Sequence, residues 1–443
     1  MGRVPWSIDH GAGSTGRGVT GAPPEVTLWA YPWPAAARPR PEMLDLEHVR
    51  AQFPALESPW VLMDNAGGSA PCRQVIDRVH DHMARRPVQL GASYALSTDA
   101  SAAVASGRAA AAALLGATPE EVILGASSTA LVNQLAAALR RGWSEGDEVI
   151  VTNVDHETNV GAWRRLEETG IVVREWRARP DTCQLHAEDL AALVGERTRL
   201  VAFTHCSNIV GSITDVPACV EVARAAGAMT CVDAVAYAPH RRVDVRALGV
   251  DFYFASLYKV YGPHVGVMYG RREALLETAG PNHFFVAADA LPGKFEPGGV
   301  TYELVASLAG ITEYLEEVGA RAGETTLDGA FRAIAAHEER LVAPLLEFLT
   351  AHPAVSLIGD PSPSGARRVP TVSFTVDGRA SSEIPPLLDE RGVAVRFGHF
   401  YAYRLIRDLG LLERDGVVRA SLVHYNTPEE VDRLVAALAE VLG

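Results

Sequence analysis

The chain has 443 residues, of which 48% are hydrophobic and 21% charged, and its formal net charge is −14. That length holds two or three domains with a large core, and the composition is that of a soluble globular protein. The acidic balance argues against nucleic acid or an anionic membrane surface as the main partner, and no apolar run is long enough to span a bilayer.

The five cysteines (Cys72, Cys183, Cys206, Cys219 and Cys231) form no C-x-x-C pair. Two sit in or beside apparent core strands, the pattern of reduced thiols in a cytoplasmic protein. The start, Met1 to Trp6, lacks the apolar core of a signal peptide, and Trp6 fails the myristoylation pattern. Residues 1–41 are rich in Gly and Pro and read as a disordered extension or a mis-assigned start.

Globular structure is expected from Leu44. Leu46–Phe53 reads as a short helix. A strand over Trp60–Met63 then delivers Asp64-Asn65-Ala66-Gly67-Gly68, where small residues allow either close backbone approach to a ligand or simply a tight turn. Ala102–Leu115 is an alanine-rich helix. Val122–Leu124 is a strand, followed by Gly125-Ala126-Ser127-Ser128-Thr129 and a helix over Ala130–Leu139. A strand, small hydroxyl residues and a helix N-terminus make either an anion site or an ordinary serine cap.

Strands and helices then alternate. Strands are expected over Glu148–Val151, Ile171–Val173, Leu200–Phe203, Met229–Val232, Phe252–Ala255 and Val265–Met268, with helices such as Ala187–Val194 and Val216–Ala226 between them. Repeated βα units define the α/β class, a mainly parallel sheet covered on both faces, with ligands bound beyond the carboxyl ends of the strands. After Gly298-Gly299 the character changes. Helices over Tyr302–Val318 and Leu327–Leu349 precede strands over Thr371–Val376, Val393–Phe397 and Val418–Leu422. A last helix from Pro428, capped by Thr427, completes a smaller α+β domain. The expected division is therefore 1–41, then 42–300 as N-terminal segment and large domain, then 301–443.

Two strand ends carry the chemistry. Asp251-Phe252-Tyr253-Phe254-Ala255-Ser256-Leu257-Tyr258-Lys259 is an apolar run that ends in one ammonium. Desolvation favours the neutral, nucleophilic amine. Ala228 to Asp233 is a second buried run, ending in a carboxylate. Read alone, the pair is a snorkelling lysine beside a strand-end acid, or else it is what pyridoxal phosphate requires. In that case Lys259 holds the aldehyde as a Schiff base, and Asp233 keeps the pyridine nitrogen protonated. The other polar sets (Ser127 and Ser128, Asp155 to Asn159, Ser207-Asn208, Ser256 to Lys259) fall at the same ends of their strands.

From about Leu44 onward the chain resembles the class V aminotransferase superfamily of pyridoxal phosphate enzymes. Within it the chain is similar to the group II cysteine desulfurases and selenocysteine lyases, in the branch called cysteine desulfurase-like. The residues that carry the resemblance include Gly146 to Val151, Asp155-His156-Glu157-Thr158-Asn159, Val232-Asp233-Ala234-Val235, Tyr258-Lys259-Val260-Tyr261-Gly262-Pro263 and Arg419 to Thr427. The resemblance implies fold type I and a homodimer with sites at the interface. It also implies that His156 stacks on the cofactor ring, and that Ser127, Ser128, Ser256 and Tyr258 hold its phosphate, with Gly299 reaching the partner subunit's. Arg419 would clamp the substrate carboxylate beside Asn208. Arg396, His399, Tyr401, Ala66 and Gly67 would complete the substrate side. No metal is implied.

Three departures stand out. The position of the desulfurases' nucleophilic cysteine holds Tyr401, and the small domain contains no cysteine. Where many relatives place Gln or His three residues after the aspartate stands Ala236, so that Tyr237, His240 or Asn208 is expected to bond the cofactor's phenolic oxygen instead. The interface Gly-Thr becomes Gly298-Gly299. The expected reaction is lysis of a small, cysteine-derived amino acid without persulfide relay. Transamination, epimerisation or carbon–carbon bond formation is the alternative, since all share one carbanion. Gly91–Asp99 and Asn282–Phe295 are expected to line the pocket.

Overall fold

The computed structural model describes residues 44–443, and the stretch read as an N-terminal extension lies outside them. The first strand, β1 (Val61–Leu62), belongs to a small sheet treated below. The next seven are β2 (Val122–Gly125), β3 (Glu148–Thr152), β4 (Val172–Trp176), β5 (Thr198–Thr204), β6 (Met229–Asp233), β7 (Phe252–Ser256) and β8 (Gly266–Gly270). They form one sheet in the order β2-β8-β7-β6-β5-β3-β4. β8 runs antiparallel to both neighbours, and the other pairings are parallel.

The sheet is covered on both faces because its strands are apolar on both. Val201, Phe203 and Tyr253 belong to one apolar cluster. The residues between them, Leu200, Ala202, Phe252 and Phe254, belong to another. Successive side chains point to opposite faces, so each strand feeds two cores.

The C-terminal part holds β9 (Val355–Ile358), β10 (Thr371–Val376), β11 (Val393–Ala394), β12 (Arg396–Gly398) and β13 (Val417–Ser421). Four of these make an antiparallel sheet in the order β12-β13-β10-β9. The single strand expected over 393–397 is two strands in two sheets. β11 pairs in parallel with β1, while β12 pairs with β13. Asp64 continues this union by bridging to Ser421. The first strand of the described chain is therefore joined to residues near its end.

Helices follow their local signals. Thr427 closes a capping box with Glu430 at the start of Pro428–Leu442. The helix expected over 302–318 is two, Tyr302–Ser307 and Ala309–Arg321. The helix Arg73–Arg85 has no counterpart among the expected elements, and its N-cap residue, Cys72, makes no side-chain cap bond that would signal a start. No helix among the described residues is long and apolar enough to cross a membrane.

Candidate active site

Five strands that run in the same direction end at one edge of the large sheet, and each passes the chain to a polar turn. β2 leads to Ser127, β3 to Asp155 and His156, β5 to Asn208, β6 ends in Asp233, and β7 leads to Lys259. These turns line a partly open cavity, with about 530 Å³ of empty space that includes solvent at its mouth. Ser127, Ser128, His156 and Asn208 line it, as do Asp233, Ser256, Tyr258 and Lys259.

Lys259 ends a single 3-10 turn, Leu257–Lys259, directly after β7. Its side chain is buried, and among the described residues no hydrogen bond or ion pair engages Nζ. Burial lowers the amine to about 8; the positive charge of Arg419 works the same way and Asp233 opposes it. Asp233 is buried too. Its Oδ1 accepts the backbone N–H of Val235 at 2.8 Å, and its Oδ2 has no partner among the described residues. Burial raises this acid to about 6, against the pull of the Val235 bond and of Lys259.

Asp155 lies close behind. It accepts from Asn159 Nδ2 at 2.7 Å, from the Thr204 backbone at 3.0 Å and from the Thr152 hydroxyl. Burial and the charge of Asp233 push it up to about 8. The next residue, His156, is pushed down to about 4, first by burial and then by Lys259 and Arg419. Its Nδ1 accepts the Thr158 backbone N–H at 3.1 Å, so the neutral ring carries its proton on Nε2.

At the other end of the cavity the helix Ser128–Arg140 begins. Ser127 caps it, accepting from Ala130 N at 3.1 Å, and the hydroxyls of Ser128 and Ser256 share a 2.8 Å hydrogen bond. The start of this helix lies against β8 because position 266 is glycine. A Cβ there would sit 2.3 Å from the carbonyl carbon of Ser127 and 2.5 Å from the nitrogen of Ser128. Thr129 and Thr158 also line the cavity and bond each other at 2.7 Å. Neither stands out as a site residue in the sequence, although both lie within motifs that do.

Of the residues expected on the substrate side, Asn208 lines the cavity and the others do not. Arg419 is buried and does not line the cavity. Its Nη2 bonds Asp64 Oδ1 and its Nη1 the Asn208 carbonyl, each at 3.0 Å, and the ring of Phe400 lies 3.7 Å from the guanidinium. Arg396 is exposed and reaches the other oxygen of Asp64 at 3.3 Å. Tyr401 is 64% exposed, with its ring 5.0 Å from that of His156. His399 is exposed and accepts the Tyr401 backbone N–H at 3.1 Å. Ala66 donates its backbone N–H to Ser421 Oγ, whereas Gly67 lines a separate apolar groove that shares Tyr258 with the cavity.

Other expectations are not met within one chain. Residues 91–99 and 282–295 contribute nothing to the cavity lining. Gly299 stands exposed, apart from the cavity, with φ +82° and open space around it. Its turn is anchored through Glu296, which pairs with Arg108 at 2.6 Å and accepts the Leu124 backbone N–H at 2.7 Å. Of the three residues expected to compensate for Ala236, Tyr237 stacks on His205 at 3.5 Å and His240 bonds Glu338 at 2.8 Å. Only Asn208 of the three lines the cavity.

A buried amine without a partner, a buried carboxylate with one free oxygen and a helix N-terminus ringed by hydroxyls fit pyridoxal phosphate. The fold and this cavity define a pyridoxal-phosphate-dependent enzyme of fold type I. The family model for aminotransferase class-V matches residues 61–434, and the chain belongs to that family. It is 42% identical to the aminotransferase-like protein FGM3 of Gibberella zeae, over 90% of this chain and 98% of that one. It is 33% identical to the cysteine desulfurase-like protein ustD of Aspergillus flavus, over 92% and 93%. A solved cysteine desulfurase from Thermococcus onnurineus superposes with a TM-score of 0.81 at 26% identity, over 92% of this chain and 99% of that one.

Proposed function

We propose that this enzyme is a lyase acting on a small, cysteine-derived amino acid, breaking its C–S bond and releasing the sulfur group directly rather than to an enzyme thiol. One observation carries the reading. The amine, the acid and the helix N-terminus share one cavity, while all five cysteines are buried. The thiol that lines the cavity, Cys206, is pushed up to about 12 by burial. Tyr401, not a thiol, stands near His156.

When bound, pyridoxal phosphate supplies an electron sink for the carbanion formed at the substrate Cα. Lys259 would hold its aldehyde, Asp233 Oδ2 its pyridine nitrogen, and the Ser127–Ser128 helix start with Ser256 and Tyr258 its phosphate. His156 would flank its ring, and Asn208 would face its phenolic oxygen. Arg419, with Asn208 and Arg396, would take the substrate carboxylate. Lys259 Nζ, poised near neutrality, would remove the Cα proton. The Tyr401 hydroxyl would protonate the sulfur leaving group as it departs with the bonding pair. The small-residue turn at Ala66 and Gly67 and the His399 ring would bound the substrate. Members of the family are typically dimeric, and Gly299 would complete the phosphate site of a second copy.

Incubation with L-cysteine, its sulfoxides and cysteine sulfinate, with assay for pyruvate and alanine, tests the reading. Product from at least one of them, lost in Lys259→Ala, is expected; none from any would refute it. The likeness to an aminotransferase-like protein favours transamination as the second reading, and pyridoxamine phosphate accumulating after a single turnover would support it.

A further inference from the structure

Arg419 is 2% exposed, so its guanidinium is closed off from solvent almost completely. Nη1 and Nη2 are bonded to the Asn208 carbonyl and to Asp64. Nε is buried without any partner. One face lies under the ring of Phe400, 3.7 Å away. A carboxylate needs two parallel N–H groups on an open edge to form a bidentate pair, and no such edge is open here.

Phe400, which covers that face, lies in a strained stretch of chain. Phe400 and Tyr401 both adopt the left-handed backbone region, with φ of +45° and +62°. Consecutive non-glycine residues persist there only where the surroundings impose it. The imposing contacts come from the large-sheet side. Asn208 Nδ2 donates to the Phe400 carbonyl at 2.9 Å, and the Glu157 backbone donates to the Tyr401 carbonyl at 2.8 Å. Arg404 pairs with the Glu157 carboxylate.

We propose that Phe400 is a gate over the substrate-carboxylate site. The ring leaves Arg419 when a carboxylate arrives, and the Glu157–Arg404 pair and the Asn208 bond set how much of the protein stands open beforehand. The proposal rests on the reading of Arg419 as the carboxylate clamp. It makes Phe400 and Glu157 determinants of carboxylate affinity, although neither touches the reacting atoms. A closed majority state lowers apparent affinity by the fraction that is open, so weakening the gate raises it.

The test uses the enzyme loaded with pyridoxal phosphate and two probes, aminooxyacetate and O-methylhydroxylamine. Both capture the cofactor aldehyde through the same aminooxy group, and only the first carries a carboxylate. The ratio of their capture rates, read from the visible absorbance, measures carboxylate recognition. In Phe400→Ala the ratio is expected to rise about 3- to 30-fold, the range from an exposed to a desolvated cation–π contact. In Arg404→Gln, which leaves the ring in place, it is expected to rise about twofold. Hydrogen exchange gives a readout independent of capture: saturating aminooxyacetate should expose the Glu157 amide, and O-methylhydroxylamine should not. A ratio unchanged or lowered in both variants, or a Glu157 amide equally protected with either probe, overturns the gate. An unchanged ratio in Arg419→Lys overturns the clamp, and with it the gate. Failure of both probes to react overturns the cofactor reading itself.

Discussion

Val235 donates its backbone N–H to Oδ1 of Asp233 at 2.8 Å, while Oδ2 of the same buried carboxylate has no partner among the described residues. One oxygen is fixed by the chain, and the other is free for a proton-bearing ligand atom. Asp233→Asn keeps the shape and the Val235 bond but removes the negative charge. Its turnover is expected to fall about 100-fold or more, with folding intact. Steady-state rates and circular dichroism of the variant check this.

The lone ammonium of Lys259 has a cost in the protein without cofactor. Its folded value, about 8, lies below the ordinary 10.5. The cost is therefore full below pH 8 and fades as pH rises from 8 to 10.5. Lys259→Met should be more stable than the wild type at pH 7, by up to about 3 kcal/mol, and should lose most of that advantage by about pH 10.5. Urea unfolding of both proteins at the two pH values isolates this difference, because all other titrating groups are shared.

Every cysteine is buried, and burial pushes Cys72 and Cys183 up to about 11 and Cys206 and Cys219 to about 12. Thiolate, the reactive form, is scarce at all of them. Native protein should therefore react negligibly with a thiol reagent over minutes and release five equivalents once unfolded. Mass spectrometry after exposure to L-cysteine should find no persulfide on the chain.

Gly266 tests the proposed phosphate site. A methyl group there would collide with the backbone of Ser127 and Ser128, which cannot yield as a flexible side chain would. In Gly266→Ala the start of the helix Ser128–Arg140 must shift. The dissociation constant for pyridoxal phosphate, from fluorescence titration, is expected to rise about tenfold or more.

Much of this is legible in the sequence because parallel strands buried on both faces leave long apolar runs. The runs ending at Asp233 and Lys259 place both residues at one sheet edge. Ser127 and Ser128 are legible through their position between a strand and a helix. What cannot be read is what depends on distant partners. Phe400 is one aromatic among many in the sequence, and only the approach of β13 to its loop puts its ring over Arg419. Asp64 reads as part of a small-residue turn, yet it is bonded to two arginines more than 300 residues away. Gly91–Asp99 and Asn282–Phe295 do not line the cavity, and nothing in their composition fixes where a loop folds within its own chain.

Asn65 donates to the Ser421 carbonyl across a separation of 356 residues. As the chain emerges from a ribosome, the segment around β1 must wait for nearly all of the described remainder before its partners exist. Until then its apolar side chains, Val61 and Met63, have no place to be buried. Such late closure makes assembly slow and leaves an apolar segment open to aggregation in the meantime. Carboxyl-terminal truncation before β11 would thus unseat the opening segment as surely as deleting it.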